Sequence, residues 1–364
     1  MRLKLIIYPV GMKTKGLNLM KGRILLSHGA GGKETEELLN ALIVSRIWEN
    51  LKRVEGGYGI DVLDDGATIP LGDGRHMVLS IDSFTVNPIF FPGGDIGKLA
   101  ATGSINDVAV MGAKPIALMD SIVVEEGFSM EDLEKIVKSM IAVAGEEGIA
   151  IIGGDFKVMP KGQIDKIVIS TVVVGIASKP IIDKHLKPGD KIIISGTVGE
   201  HGATIMALQQ GLGIEAGELR SDCQPLTKLM LPLVEKYPDD IHAAQDPTRG
   251  GVAQVLNEWA QKTGNIIVIE EEKIPIREPV RAYSEMLGVD PLSLACEGRV
   301  LLGVEREAAE KVLKYIRNLG YVDAEIIGEV HEPKKHRGLV LEKTIAGGIK
   351  VLEPPSGEIV PRIC

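Results

Sequence analysis

The chain closes on a thiol: its last residues read Glu353-Pro-Pro-Ser-Gly-Glu-Ile-Val-Pro-Arg-Ile-Cys364, after the patterned part of the sequence has ended. A cysteine at the tip of such a tail has little to pack against, so reactivity is the reason to single it out. Pro354, Pro355 and Pro361 keep the segment out of a helix. Fully extended, the 12 residues from 353 to 364 reach roughly 40 Å, enough to visit an internal site and then present the tip elsewhere.

Acidic clusters form the second chemical signal. They are Asp64-Asp65-Gly66-Ala67, Asp82 within Ser80-Ile-Asp-Ser83, Asn106-Asp107, and Gly153-Gly154-Asp155. Taken singly each is an ordinary turn or cap, but hard divalent cations such as Mg²⁺ want carboxylate and amide oxygens beside substrate phosphates. Asn106-Asp107 lies inside the apolar, helix-patterned run from Leu99 to Met111, where a carboxylate costs helix propensity and desolvation. A metal-phosphate site shared with Asp65, Asp82 and Asp155 supplies the partner it lacks. In the second half, Asp246-Pro-Thr-Arg-Gly-Gly251 opens another helix through two glycines, a start suited to an oxyanion or a metal-bound phosphate.

Lys157, two residues after Asp155, and Glu297, in Ala295-Cys-Glu-Gly298, complete the candidates for proton transfer or charge stabilisation. His28-Gly-Ala-Gly-Gly32 reads equally as an anion site and as a tight turn, with His28 a turn residue. Cys223 and Cys296 read as packing residues.

The elements that must position these groups are legible from periodicity. A strand at Arg23–Ser27 and a helix from Glu34 to Leu51 are expected first, then strands at His76–Asp82 and Ile116–Val124. Helices follow at Ile96–Met111 and Met130–Glu147, the latter capped by Ser129, and a long strand begins at Ile167. A first α+β unit thus spans 22–178, after an N-terminal extension of 1–21 containing the alternative starts Met12 and Met20. A second α+β unit spans 179–352. It carries strands at Asp190–Ser195, Ile266–Glu270, Arg299–Val304 and Glu325–Val330, and helices at Ala203–Gln210, Gln224–Glu235, Gly250–Thr263 and Ala308–Leu319. A flexible tail, 353–364, completes the chain.

Composition sets the outer limits. The 364 residues are 45% hydrophobic and only 4% aromatic, so the cores are built from aliphatic side chains and methionine. A net charge of −9 with no basic block argues against nucleic-acid or anionic-membrane partners, and no stretch is long and apolar enough to span a bilayer. The short apolar run Leu5–Val10 is interrupted by Pro9, which argues against a secretory signal. Three widely spaced cysteines form no disulfide framework or metal pair and fit a reducing cytoplasm.

Ser80-Ile-Asp-Ser, the block from Pro92-Gly-Gly-Asp-Ile-Gly-Lys to Gly112-Ala-Lys-Pro115, Gly153-Gly-Asp, Asp246-Pro-Thr-Arg-Gly-Gly and the terminal Pro361-Arg-Ile-Cys364 occur in that order. Together they resemble the HypE family of hydrogenase expression/formation proteins, within the aminoimidazole ribonucleotide synthetase-like superfamily, over nearly all the chain from Arg23. The resemblance implies a two-domain α+β fold whose N-terminal domain dimerises through its β-sheet, with ATP in the cleft. Mg-ATP would lie on Asp65, Asp82, Asp107, Asp155 and Asp246, with Asn106, Gly153 and Gly154 beside the nucleotide. The implied activity is that of a carbamoyl dehydratase in [NiFe]-hydrogenase maturation. The carbamoyltransferase HypF loads Cys364, ATP-dependent dehydration turns the S-carboxamide into a thiocyanate, and a HypC–HypD iron complex receives the cyanide. Glu297 is then the base and Lys157 its orienting cation.

Related activities built on the same ATP site are selenophosphate synthesis, thiamine monophosphate phosphorylation and purine-pathway synthesis. No cysteine precedes Cys223, which weighs against the first, and the others leave Cys364 idle. A non-catalytic scaffold docking by its tail would have no need for carboxylates in apolar contexts.

Overall fold

The structure, a computed structural model, describes residues 23–212, 219–333, 336–357, 360 and 362–364. The expected extension 1–21 lies outside the described residues. The N-terminal half contains α1 (Lys33–Leu39), β1 (Ala67–Pro70), β2 (His76–Phe84), the short β3 (Phe90–Phe91) and β4 (Gly94–Asp95), then α2 (Ile96–Val110), β5 (Lys114–Glu125), α3 (Met130–Glu146), β6 (Ala150–Met159) and β7 (Ile167–Ala177). Its main sheet runs β1-β2-β7-β5-β6, antiparallel except for the parallel pair β5/β6.

One face of that sheet is covered and the other is not. Along β7 the side chains alternate strictly, and Ile167, Ile169, Thr171 and Val173 are buried under α2 and α3. Nearly every residue of α2 is buried, so an all-round apolar sequence produces a central helix rather than a surface one. Small residues let it seat closely: a Cβ on Gly103 would stand 2.7 Å from the Phe84 ring. Asp95 caps the helix by accepting from the amides of Gly97 and Lys98, and Ser129 caps α3 as expected. On the open face Ile81 and Met119 are exposed, and the register puts Asp155 and Lys157 of β6 on the same side.

The C-terminal half comprises β8 (Lys191–Ile194), α4 (Glu200–Gln209), α5 (Thr227–Lys236), β9 (Ile241–Gln245), α6 (Gly251–Thr263), β10 (Ile266–Glu270), α7 (Glu278–Leu287), β11 (Leu301–Val304), α8 (Ala309–Asn318), β12 (Glu325–His331), β13 (Leu339–Lys343) and β14 (Ile349–Val351). The strands order as β14-β13-β10-β12-β8-β11-β9. A core containing α6 and Trp259 and a second containing α5 and α8 include residues of this sheet, while α4 packs toward the N-terminal half.

Two expectations near the N-terminus fail. Residues 23–27 form no strand; Leu26–Gly29 is a 3₁₀ turn in which His28 Nδ1 accepts from the Leu25 amide. The helix expected to Leu51 stops at Leu39, passes through a wide turn at Asn40–Val44 and resumes only as a 3₁₀ turn at Glu49–Leu51. Its periodic apolar residues Leu39, Leu42, Ile43 and Leu51 are exposed, so among the described residues nothing packs on that face to hold a long helix together.

Candidate active site

Three chain segments bring carboxylates to one point. The loop before β1 carries Asp65, the end of α2 carries Asp107, and the turn between β9 and α6 carries Asp246; one oxygen from each lies within 4.8 Å of the others. Gly66 permits the first approach, because a Cβ there would meet the Leu79 carbonyl at 2.7 Å. Gly251, at φ +60°, permits the third, since its Cβ would stand 2.5 Å from the carbonyls of Leu292 and Leu294. Asp82, on β2, is the neighbouring carboxylate and faces Arg249 at 3.7 Å. Ser80, one turn of the pleat away on the same strand, donates to Asp107.

Burial, and then the charges of Asp246 and one another's neighbours, push the carboxyls of Asp65 and Asp107 well up; burial raises Asp246 to about 7. Asp65 Oδ2 and Asp246 Oδ2 are buried without a hydrogen-bond partner. Buried, mutually repelling carboxylates with unused oxygens are a donor set that a hard divalent cation fits.

Glu297 lies beside this cluster. It is buried, its Oε1 has no partner, and burial followed by Asp246, Asp222, Asp82 and Asp107 raises its proton affinity strongly. Its backbone is fixed from both sides: its amide donates to Asp222 Oδ1 at 3.1 Å and its carbonyl accepts from Asn106 Nδ2 at 3.3 Å.

The tail comes inward. The described residues Val360, Ile363 and Cys364 are buried and belong to the core shared by both halves. Thr85 N donates to the Cys364 backbone oxygen at 2.9 Å and Asn87 N to that of Arg362 at 3.1 Å, a strand-like addition beyond β2. Arg362 answers by donating to the Thr85 carbonyl at 2.7 Å and pairing with Asp165. Burial pushes the Cys364 thiol up to about 12, against a lowering by Arg249; the other charges acting on it are Glu297, Asp82 and Asp107. Cys364 is correspondingly the largest influence on Arg249. The Gly-rich segment lies against the tail too: Lys33 N donates to the Pro355 carbonyl, and a Cβ on Gly32 would stand 2.3 Å from that oxygen. Tight packing on the tail therefore accounts for Gly32, while Gly31, at φ +81°, lies against Arg249.

Not every expected residue joins the site. Asn106 is committed elsewhere: its Nδ2 donates to the carbonyls of Gln224 and Glu297 and its Oδ1 accepts from Leu226 N at 2.8 Å, so it anchors the second half to α2 and has no free ligand atom. Gly153, Gly154, Asp155 and Lys157 lie within the edge strand β6, not at an element end. The register runs Asp82 to Thr171 to Asp120 to Gly154, three strand spacings, or about 14 Å, across the sheet. Asp155 and Lys157 are more than half exposed and pair with each other at 2.7 Å. Within one chain Lys157 thus does not orient Glu297, and the cation acting on the Cys364 thiol is Arg249. Cys223 and Cys296 are buried, their thiols pushed up by burial, in keeping with packing roles. Sequence reasoning missed Thr85 and His201, which hold the tail, and Ser221, which orients His201. Only a histidine at a helix start, in Gly199-Glu-His-Gly202, offered a signal.

Comparison with known proteins agrees with this geometry. Residues 63–177 match the N-terminal domain, and 187–340 the C-terminal domain, of AIR synthase related proteins. Carbamoyl dehydratase HypE of Azotobacter vinelandii is 40% identical over 354 residues, covering 96% of this chain and 99% of its own. Among solved structures, a HypE–HypF complex superposes with a TM-score of 0.79 at 41% identity, over 89% of this chain and 100% of that one. HypE in complex with ATP superposes at 0.76 and 38% identity, over 94% and 100%. The chain belongs to the HypE family of carbamoyl dehydratases, hydrogenase expression/formation proteins built on the two-domain AIR synthase related fold.

Proposed function

We propose that this chain dehydrates a carboxamide carried on its own Cys364, converting S–C(=O)–NH₂ to S–C≡N with cleavage of ATP to ADP and phosphate. This is the step that prepares cyanide ligands for hydrogenase iron. The observation that carries the reading is the inward tail, which buries Cys364 next to Arg249, Glu297, Asp82 and Asp107.

Asp65, Asp107 and Asp246, with Asp82 beside them, are the residues that would hold Mg²⁺ and through it the nucleotide. Mg-ATP would supply the phosphoryl group that turns a poor leaving group, the amide oxygen, into a good one. The chain's own residues do the rest. Arg249 places positive charge by the sulfur and the oxygen that leaves. Glu297 is the proton acceptor for the nitrogen, its basicity raised by burial and by the carboxylates around it. Two N–H protons leave, the oxygen departs on phosphate, and the C–N bond becomes triple. Burial of the tail keeps water from the thiocyanate carbon.

A thiol held near 12 is a weak nucleophile at neutral pH, so loading of the carbamoyl group by a HypF-type carbamoyltransferase takes place with the tail withdrawn. Delivery to a HypC–HypD iron complex needs the same withdrawal. The open, apolar face of the first sheet supports a homodimer formed sheet to sheet. Asp155 and Lys157 border that face on β6, so any role for them at the nucleotide depends on the dimer. The charge balance and the three free cysteines fit a reducing cytoplasm, and no described helix is long and apolar enough to cross a membrane. Intact mass tests the reading: protein loaded with one carbamoyl group should lose one water when ATP is added, and Cys364→Ala should never load.

A further inference from the structure

His201 is a fully buried titratable side chain that the reaction scheme leaves without a job. It opens α4, its ring stands edge-on to Phe91 at 5.4 Å between centroids, and its two nitrogens face different partners. Nε2 lies 2.8 Å from the Ile363 carbonyl and Nδ1 lies 2.7 Å from Ser221 Oγ. A carbonyl only accepts, so Nε2 carries the hydrogen and Nδ1 accepts from the Ser221 hydroxyl. Ser221 Oγ in turn accepts from Cys223 N at 3.1 Å, and the Ser221 amide donates to the Pro92 carbonyl at 2.9 Å. Tautomer and orientation are therefore set from behind, by groups anchored in both halves. Burial holds the ring neutral at physiological pH, with its pKa pulled down to about 4.

We propose that His201 is the positioning residue for the reacting cysteine: its Nε2–H holds the Ile363 carbonyl, one peptide unit before Cys364, and so latches the C-terminal residue in the site. Thr85 holds the other side of the same unit through the Cys364 backbone oxygen, at 2.9 Å from its amide and 3.1 Å from its hydroxyl. These main-chain hydrogen bonds hold the tail inward together with the Arg362–Asp165 pair. The catalytic consequence rests on the dehydratase reading; the latch itself does not.

Thiol labelling of the full-length protein tests the latch without turnover. Cys364 reacts only when the tail opens, while Cys223 and Cys296 report on the fold. In His201→Phe, which keeps the ring volume and loses the donor, Cys364 should label roughly five- to tenfold faster with the other two thiols still protected. His201→Gln, which restores a donor near Nε2, should return the rate toward wild type. Single-turnover dehydration of pre-carbamoylated protein should fall in the first variant and recover in the second, with the carbamoylation rate not reduced. Unchanged Cys364 labelling in His201→Phe, or no recovery in His201→Gln, would overturn the proposal. Should all three thiols open together in His201→Phe, Ser221→Ala decides: faster labelling of Cys364 alone supports the latch and no change refutes it. Failure of wild-type protein to dehydrate would instead count against the proposed function, with the labelling result still judging His201.

Discussion

Replacing Glu297 by glutamine separates stability from chemistry at one atom. The amide has nearly the volume of the carboxyl, so packing is kept while a buried charge with an unpartnered Oε1 is removed. In the folded chain the Glu297 pKa is raised above 4.5 by burial first and then by Asp246, Asp222, Asp82 and Asp107. A carboxyl raised in the folded state is protonated in both states below the unfolded pKa and costs nothing there. Above that pKa the unfolded chain ionises first, so wild type loses stability relative to the amide as pH rises. The loss is about 1.4 kcal/mol for each pH unit until the folded pKa is reached. Urea unfolding without divalent cation, at a series of pH values from 4 to 8, should therefore give curves that coincide near pH 4 and diverge upward in favour of Glu297→Gln. Dehydration by the same variant should fall roughly 10²- to 10⁴-fold, the range for losing a general base. A variant less stable than wild type at pH 7 would refute the buried-charge reasoning, and one that dehydrates at the wild-type rate would refute the role as base.

Asn106→Ala removes three hydrogen bonds to backbone that tie the second half to α2 and should cost about 2–4 kcal/mol in denaturant unfolding, with Glu297 misplaced and dehydration slowed as well. Asp107→Asn should stabilise the cation-free protein at neutral pH, where burial and Asp246 hold the carboxyl well above its ordinary range, and weaken Mg-ATP binding by calorimetry. Met119→Glu, on the open sheet face, should abolish the proposed dimer in light scattering while leaving the circular dichroism unchanged.

How much of this was legible in the sequence depended on whether a signal was local. Ile96 to Val110 was readable because its composition demands burial, and the conflict of Asp107 with that burial pointed to the site. The terminal thiol was readable as chemistry but not as a core residue, since the pairing of Arg362 and Cys364 with Asn87 and Thr85 spans most of the chain. Gly153-Gly-Asp155 resembled a loop, yet a parallel edge strand tolerates glycine where Asp120 approaches: a Cβ on Gly154 would lie 2.8 Å from that carboxylate. Asn106 looked like a ligand because an amide beside a carboxylate in an apolar run is costly, and only the fold shows that three backbone groups satisfy it. The periodic stretch from Glu34 to Leu51 misled for the opposite reason, offering an apolar face that none of the described residues covers.

The central claim is that Cys364 is both carrier and substrate. Intact-protein mass after incubation with a HypF-type carbamoyltransferase, carbamoyl phosphate and ATP, followed by peptide mapping of the C-terminus, tests it most directly. The account predicts one carbamoyl group gained and one water then lost, both on Cys364, with the second change requiring ATP. A carbamoyl group that stays hydrated on Cys364 in the presence of Mg-ATP, or a modification that maps to another residue, would contradict it.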